Sequence, residues 1–296
     1  MSEYFDKYTK HIIDTEFYAQ YQEDYFIHKM EILRKKLRAF LKENNLRLTK
    51  SQYEKILSDC KEISDKEIDE YFEEYKKERE DFSKKERNYL KALVIAILGL
   101  VLAKEITKSI RDKKLLEGTS NIDDFKEKLK TDVYNAVRKP LFTDYIFGSP
   151  ASTSTETVDS AVEKTINISS SFIHTDVTAI QRNLLSTVTT DVKLQYISML
   201  DDKTCAVCGG YSGKVYNSIS DAPTLPIHGR CRCYLIPLKE NEESGMTYSQ
   251  WLRSQPDSVQ YKILGPARYA LYKAGVDVES FSSKGKKLTL KELYSS

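Results

Sequence analysis

The segment TCAVCGGYSGKVYNSISDAPTLPIHGRCRC, residues 204–233, concentrates most of the sulfur of this chain in one place. It contains four of the five cysteines and one of the four histidines in a sequence of 296 residues. Its pattern is C-x2-C, an insertion, then H-x2-C-x-C. The candidate ligands are Cys205, Cys208, His228, Cys231 and Cys233. Because zinc prefers thiolate and imidazole donors in sets of four, this pattern predicts a structural zinc site.

Each half of the pattern suits a tetrahedral ion for a local reason. In the first half, the tight C-x2-C turn brings both thiolates to one side, and Gly209 and Gly210 would permit a left-handed backbone there. In the second half, residues two apart on a strand face the same way. Cys231 and Cys233 would therefore reach one ion while Arg232 points to the opposite face.

Other interpretations of the cysteines stay open. They could form two disulfides, a reduced cluster of small buried residues, or a catalytic site. Disulfides are disfavoured because the start, MSEYFDKYTK, lacks the basic and apolar regions of a secretory signal. The segment also offers five candidate ligands for the four coordination positions of zinc. The spacing therefore leaves open which two of His228, Cys231 and Cys233 complete the site.

Catalysis by this region has weak support in the sequence. The deaminase pattern H-x-E followed by P-C-x-x-C is absent. A nuclease of the His-Asn-His kind would need a further histidine as base, and the nearest, His174, is expected at the surface or as a helix cap. The phosphate-binding, dinucleotide-binding and serine-nucleophile motifs are also missing.

Length and charge predict an ordinary soluble protein of about two domains. With 46 basic and 44 acidic side chains the net charge is +2, so no global affinity for nucleic acid or an anionic membrane is expected. The apolar run ALVIAILGLVLA, residues 92–103, is shorter than the roughly 20 residues that span a bilayer. We expect it to be a buried or oligomer-facing helix rather than a membrane span.

Apolar periodicity predicts that residues 1–147 form a helical N-terminal region. The expected helices cover Thr15–Asn44, Leu48–Asp59 with Thr49 as N-cap, Ile63–Glu86, and a segment from Asp123 that stops near Pro140.

The composition then changes, because GSPASTSTETVDS, residues 148–160, is small and hydroxylated. We expect a linker or surface loop over residues 148–162 and a C-terminal domain over 163–296. In that domain we expect a helix from about Asp176, short strands in YISMLDDKT and CRCYLIPL, and two short helices near Trp251 and from Tyr261. The predicted class is predominantly α, with a helical N-terminal region and a small α+β domain stapled by zinc.

The run YISMLDDKTCAVCGGYSGKVYN…LPIHGRCRC resembles the signature of the Mu F-like head morphogenesis proteins, the minor head or minor capsid proteins of tailed phages. In that family an Asp-x-Arg-Thr-Cys-x-x-Cys knuckle precedes a glycine-containing turn and Pro-x-His-x-x-Cys-Arg-Cys. Besides the five donors, the matching residues are Asp201, Thr204, Gly213, Pro226 and Arg232. Two positions depart from the pattern: Lys203 stands where arginine is usual, and Gly229 where proline is common.

The resemblance extends over about residues 165–296. The helix TDVTAIQRNLL is similar to a Thr-Glu-centred helix of the family, with Asp176 in place of glutamate. The tail segments QYKILGPARYALYKAGV and GKKLTLKEL are similar to its closing helix and Leu-Thr-Leu segment.

The resemblance implies a structural virion protein without enzymatic activity or a small-molecule substrate. Such a protein is made in the host cytoplasm and ends in the head interior or at the portal vertex. Its expected partners are the portal and capsid or scaffold proteins, with double-stranded DNA as a non-specific candidate during packaging or ejection.

The candidate DNA contacts are basic residues of the tail, Lys284, Lys286, Lys287 and Lys291. The run RKKLR, Arg34–Arg38, is also basic. For both basic runs the alternative is an ordinary solvated helix face, because acidic residues balance the lysines and arginines. Two rival hypotheses are a metal-dependent nuclease or toxin-like phage domain, and a cellular scaffold or nucleic-acid-binding module with a zinc knuckle.

Overall fold

A computed structural model describes residues 3–44, 47–112, 121–149, 155–185, 193–238, 245–283 and 286–295. The helices in these ranges are α1 (Glu3–Glu43), α2 (Lys50–Asp112), α3 (Ile122–Phe147), α4 (Thr155–Leu185), α5 (Ala206–Tyr211), α6 (Tyr248–Ser254), α7 (Asp257–Lys273) and α8 (Leu290–Ser295). The strands are β1 (Leu194–Ile197), β2 (Val215–Tyr216), β3 (Tyr234–Pro237), β4 (Ser282–Ser283) and β5 (Lys286–Lys287). The prediction of a mostly helical protein with small sheets is confirmed.

The chain forms two compact units, each assembled from separate stretches of sequence. One, which we call the helical unit, comprises Tyr18–Phe82 and Ser120–Ile173. The other, the Cys/His unit, comprises Met1–Phe17, Ser83–Thr119 and His174–Ser296.

The core of the helical unit is built from helix faces with apolar residues three or four apart. In α1 these are Phe26, Met30, Leu33, Leu37 and Leu41, all fully buried. In α3 they are Leu129, Val133, Val137 and Leu141. This spacing places them on one side of each helix, as the sequence predicted.

Helix α2 is continuous where the sequence predicted two segments. It begins after Thr49, whose hydroxyl oxygen accepts a hydrogen bond from the Gln52 backbone N–H at 3.3 Å, so the predicted N-cap is confirmed. No proline or glycine interrupts residues 50–86, and the buried Cys60 and Ile68 keep the helix packed through the expected break.

Helix α3 does not stop at Pro140, contrary to expectation. It continues to Phe147 and ends at Gly148, whose φ of 66° is the left-handed conformation that glycine adopts readily at a helix end. Proline removes one helical N–H, but the buried Val137 and Leu141 on either side hold the helix together.

Helix α4 begins at Thr155 and therefore includes residues 155–162 of the expected linker. Val158 and Val162 are fully buried, and this packing outweighs the weak helix propensity of the surrounding hydroxylated residues. The helix expected from about Asp176 thus begins some twenty residues earlier. Residues 150–154 lie outside the described residues, and the limits 1–147 and 163–296 as domains stay a prediction.

The apolar run of residues 92–103 lies within α2, so the prediction that it is helical is confirmed. Leu93 is buried, and the side chains from Val94 onward lie outside the described residues. Among the helices described, none is both long and apolar enough to cross a bilayer.

The Cys/His unit contains a three-stranded antiparallel sheet in the order β2-β1-β3. Its register pairs Ile197, the last residue of β1, with Tyr234, the first residue of β3. The chain leaving β1 and the chain entering β3 therefore lie side by side at one end of the sheet. The sequence predicted strands β1 and β3 and helices α6 and α7. Strand β3, however, begins only after Cys233.

Candidate metal centre

The five predicted ligands meet at the end of the sheet where β1 leaves and β3 begins. The side-chain donor atoms of Cys205, Cys208 and His228 all lie within 4.8 Å of one another, and so do the sulfurs of Cys208, Cys231 and Cys233. This clustering could hold a metal ion, as the sequence predicted.

The first two cysteines are positioned by the short helix α5. Cys205 is its N-cap, and the Cys205 sulfur accepts a hydrogen bond from the Cys208 backbone N–H at 3.5 Å. One helical turn then brings the Cys208 sulfur back to the same side.

The predicted role of the two following glycines is wrong. Gly209 and Gly210 have helical dihedral angles, and the left-handed residue of this turn is Gly213, with φ of 84°. The two glycines are needed for close packing instead. A Cβ on Gly209 would lie 2.4 Å from the ring of Tyr248, and one on Gly210 would lie 2.6 Å from the Ser282 hydroxyl.

His228 presents one ring nitrogen to the sulfurs and the other to the backbone. Its Nε2 lies 3.2 Å from the Cys205 sulfur and 3.1 Å from the Cys208 sulfur. Its Nδ1 donates to the Gly229 carbonyl at 2.7 Å. A hydrogen bond from the second nitrogen to a carbonyl is the usual way in which proteins orient a metal-binding histidine.

The electrostatics of the donors agree with a site for a cation. Hydrogen bonds from Cys208 and His228 lower the pKa of the Cys205 thiol to about 4, so Cys205 is readily a thiolate. Hydrogen bonding with the other crowded cysteines instead raises the pKa of Cys208, because one more negative charge among them is unfavourable. A bound divalent cation would remove this conflict, and the soft sulfur donors fit zinc or a similar ion.

Arg232 lies between the last two cysteines in sequence but points away from them. Its Nη1 and Nη2 donate to the two carboxylate oxygens of Asp201 at 2.6 and 2.7 Å. Burial disfavours the ionised Asp201 carboxyl, but the Arg232 hydrogen bonds outweigh it, and the pKa of Asp201 is lowered. The predicted alternation of Cys231, Arg232 and Cys233 is therefore confirmed, although these residues precede β3 instead of lying in it.

Hydrogen bonds to the backbone hold the loops around the donors. Thr204 donates to the Met199 carbonyl at 2.7 Å, which closes the turn before Cys205. The Tyr248 hydroxyl donates to the Thr204 carbonyl at 3.2 Å, and Thr178 donates to the Cys231 carbonyl at 3.0 Å. Both cysteine-bearing segments are thus anchored independently of an ion.

Glu16 of α1 is a neighbour of the site that the sequence did not indicate. Its carboxylate lies 3.7 Å from the Arg232 guanidinium. Burial raises the pKa of Glu16, although His174 and Arg232 act to lower it. No local sequence signal could have found this residue, because more than two hundred positions separate it from Arg232.

His174 is buried inside α4, so its expected place at the surface or at a helix cap is wrong.

The basic segments divide into two kinds. In the Arg34–Arg38 run, Lys35, Lys36 and Arg38 are exposed, as expected for a solvated helix face. Arg34 is only 16% exposed and lies near Glu31 and Asp159. In the tail, the described lysines are exposed: Lys286, Lys287 and Lys291. Lys284 lies outside the described residues.

Together, the fold and the site define a mostly helical protein whose sheet-containing unit carries a Cys/His cluster suited to a metal ion. Comparison of this chain with protein-family models, with curated proteins and with solved structures found no match.

Proposed function

We propose that this chain is a structural phage protein that acts in head morphogenesis as a minor head protein near the portal. On this proposal the ion of the Cys/His cluster is a structural zinc. The protein is made in the host cytoplasm and becomes part of the virion, where the portal and the capsid or scaffold proteins are its partners.

The observation that carries the proposal is the mutual contact of residues on which the family resemblance rests. Asp201 binds Arg232 through two hydrogen bonds, and Thr204 closes the turn between Asp201 and the first cysteine. The five Cys/His residues gather beside this pair. This assembly supports the proposal because the residues of the resemblance act together as one folded motif.

The role of zinc follows from how little the surrounding segments can bury. Strands β1 and β3 have four residues each and α5 has six, so their own core is small. A metal bound by ligands from several segments contributes folding free energy that such a core does not supply. In this role zinc joins the segment after β1 to the segment before β3.

The zinc proposal is tested by native mass spectrometry and hydrogen exchange on protein purified without chelator. We expect one zinc per chain, and loss of amide protection in β1, α5 and β3 when a chelator removes it. Amides of α3, in the helical unit, should keep their protection. Metal-free protein with unchanged exchange in all four elements would exclude a structural ion.

The head-protein proposal is tested in phage particles produced from a genome that carries this gene. We expect mass spectrometry of purified particles to detect the chain in few copies, and deletion of the gene to reduce the yield of DNA-filled heads. A plasmid copy should restore that yield, while a Cys208→Ala copy should not. Particles that lack the chain and assemble normally without the gene would refute the proposal.

DNA contact by the tail is a separate part of the proposal. Each lysine near a phosphate adds affinity that falls with salt and ignores sequence. We expect the double variant Lys286→Gln/Lys287→Gln to weaken binding to a duplex oligonucleotide, with a smaller salt dependence. If the purified protein instead cuts plasmid DNA with added Mg²⁺ or Mn²⁺, the nuclease hypothesis replaces the structural one.

A further inference from the structure

The five donors form two triads that share a single residue. The first triad is Cys205, Cys208 and His228, and the second is Cys208, Cys231 and Cys233. The first includes the exposed His228 and the half-buried Cys205, whereas all three members of the second are buried. Cys208 is therefore the only donor with a place in both triads.

Close packing surrounds the backbone that follows Cys208. Gly209 packs directly under the Tyr248 ring, and Gly210 approaches the Ser282 hydroxyl so closely that neither position has room for a Cβ. Tyr248 is in turn fixed by a hydrogen bond from its backbone N–H to the Ser212 hydroxyl at 3.0 Å. This packing sets the position of the Cys208 sulfur between the other four donors.

We propose that Cys208 is the common ligand of this centre, and that a single ion is held by Cys208 together with the remaining pair of either triad. The inference rests on the proposed zinc site and deepens it, because the sequence treats Cys205 and Cys208 as equivalent members of one C-x2-C pair. The structure makes them unequal.

Cys208 differs from the other four donors in the number of ligands that remain after its removal. Without Cys205 or His228, the triad of Cys208, Cys231 and Cys233 is intact. Without Cys231 or Cys233, the triad of Cys205, Cys208 and His228 is intact. Without Cys208, only two pairs of donors remain, and a pair holds zinc far more weakly than three or four ligands do.

The test is a Co²⁺ titration of the full-length protein, followed by the visible absorption of thiolate-bound cobalt. Alanine replaces each of the five donors in turn. Cys60→Ala is the matched control, since Cys60 is also a buried cysteine but belongs to the helical unit. Far-UV circular dichroism of each metal-free variant checks that it folds.

We expect one cobalt per chain and unchanged binding in the Cys60 variant. Cys208→Ala should weaken binding more than about 100-fold, whereas the other four single variants should lose about tenfold or less. Two ions per chain would overturn the inference. A loss at Cys205, His228, Cys231 or Cys233 that equals the loss at Cys208 would also overturn it.

Two double variants keep the inference testable if Cys208→Ala fails to fold. Cys205→Ala/His228→Ala retains the buried triad, and Cys231→Ala/Cys233→Ala retains the other. Both should still bind one cobalt, and a folded variant that binds none would contradict a shared ligand.

The outcomes also separate this inference from the proposed function. Wild-type protein that binds no cobalt would remove the zinc site itself, whereas binding with a different ranking of variants would remove only the role of Cys208. A chain that is absent from phage particles but shows this ranking would refute the head-protein role and leave the inference standing.

Discussion

Arg232 and Asp201 are joined by two parallel hydrogen bonds, of 2.6 and 2.7 Å, across thirty residues of sequence. The pair connects the turn that precedes Cys205 to the segment that carries Cys231 and Cys233. It therefore brings the two halves of the Cys/His pattern together by a contact that needs no ion.

The geometry of this pair predicts that lysine cannot replace Arg232. Arg232→Lys keeps the charge but loses the planar fork that matches a carboxylate, and the side chain is only 14% exposed. We expect a loss of about 1–3 kcal/mol in the free energy of unfolding, measured by urea denaturation. Arg253→Lys is the control, because Arg253 is 58% exposed where it pairs with Asp277, and solvent screening should make its effect much smaller than that of Arg232→Lys. Equal losses of unfolding free energy at the two sites would show that the two hydrogen bonds of the buried Arg232 guanidinium add no more stability than the exposed pair does.

The Asp201 carboxylate gives the stability a defined dependence on pH. Its pKa in the folded protein is below its ordinary value of 3.8, so the ionised form is the stabilising one. The stability that it contributes is complete above the unfolded pKa and is lost as pH falls through the folded pKa.

We therefore expect the difference in unfolding free energy between the parent protein and Asp201→Asn to be constant above about pH 5 and to shrink below about pH 4. Urea denaturation across this range measures it. Asp202→Asn, a neighbouring change at an exposed carboxylate, is the control for net charge. A difference that grows on acidification would mean that the neutral form of Asp201 is the stabilising one.

Gly209→Ala should destabilise the protein although alanine favours helices. In an open helix the change would stabilise by about 0.5–1 kcal/mol. Here the new Cβ would lie 2.4 Å from the buried Tyr248 ring, and overpacking should cost about 1–3 kcal/mol. Thermal unfolding decides the sign. An increase in the melting temperature would show that the approach of Tyr248 to α5 is not as close as described.

Val162→Ala tests whether the hydroxyl-rich stretch is helical. Val162 is fully buried, so its truncation should cost about 1–3 kcal/mol in unfolding free energy. Ser160→Ala is the matched control, since Ser160 is exposed and the change should stay within about 0.5 kcal/mol. If neither Val162→Ala nor Ser160→Ala changes the unfolding free energy, the loop that the sequence suggested would be favoured over a helix.

Patterns confined to neighbouring residues were predictable for a physical reason. Apolar residues at intervals of three and four can only be buried together on one helix face, so the core stripe of α1 follows from sequence. The donor types and the alternation of Cys231, Arg232 and Cys233 likewise depend on side-chain chemistry and on the direction of successive residues in extended chain. The sequence by itself therefore determined the mostly helical class, the short strands and the cluster of candidate ligands.

Only the tertiary structure decided features that depend on what packs nearby. Helix α4 forms across a stretch with weak helix propensity because Val158 and Val162 find a core, and α3 passes through Pro140 for the same reason. Glu16, near the start of the chain, lies beside Arg232. Gly209 is required because the Tyr248 ring leaves no space for a Cβ, and not because of its own dihedral angles. Local patterns constrain torsion angles and faces, whereas burial, close approach and the shared position of Cys208 arise only when distant segments meet.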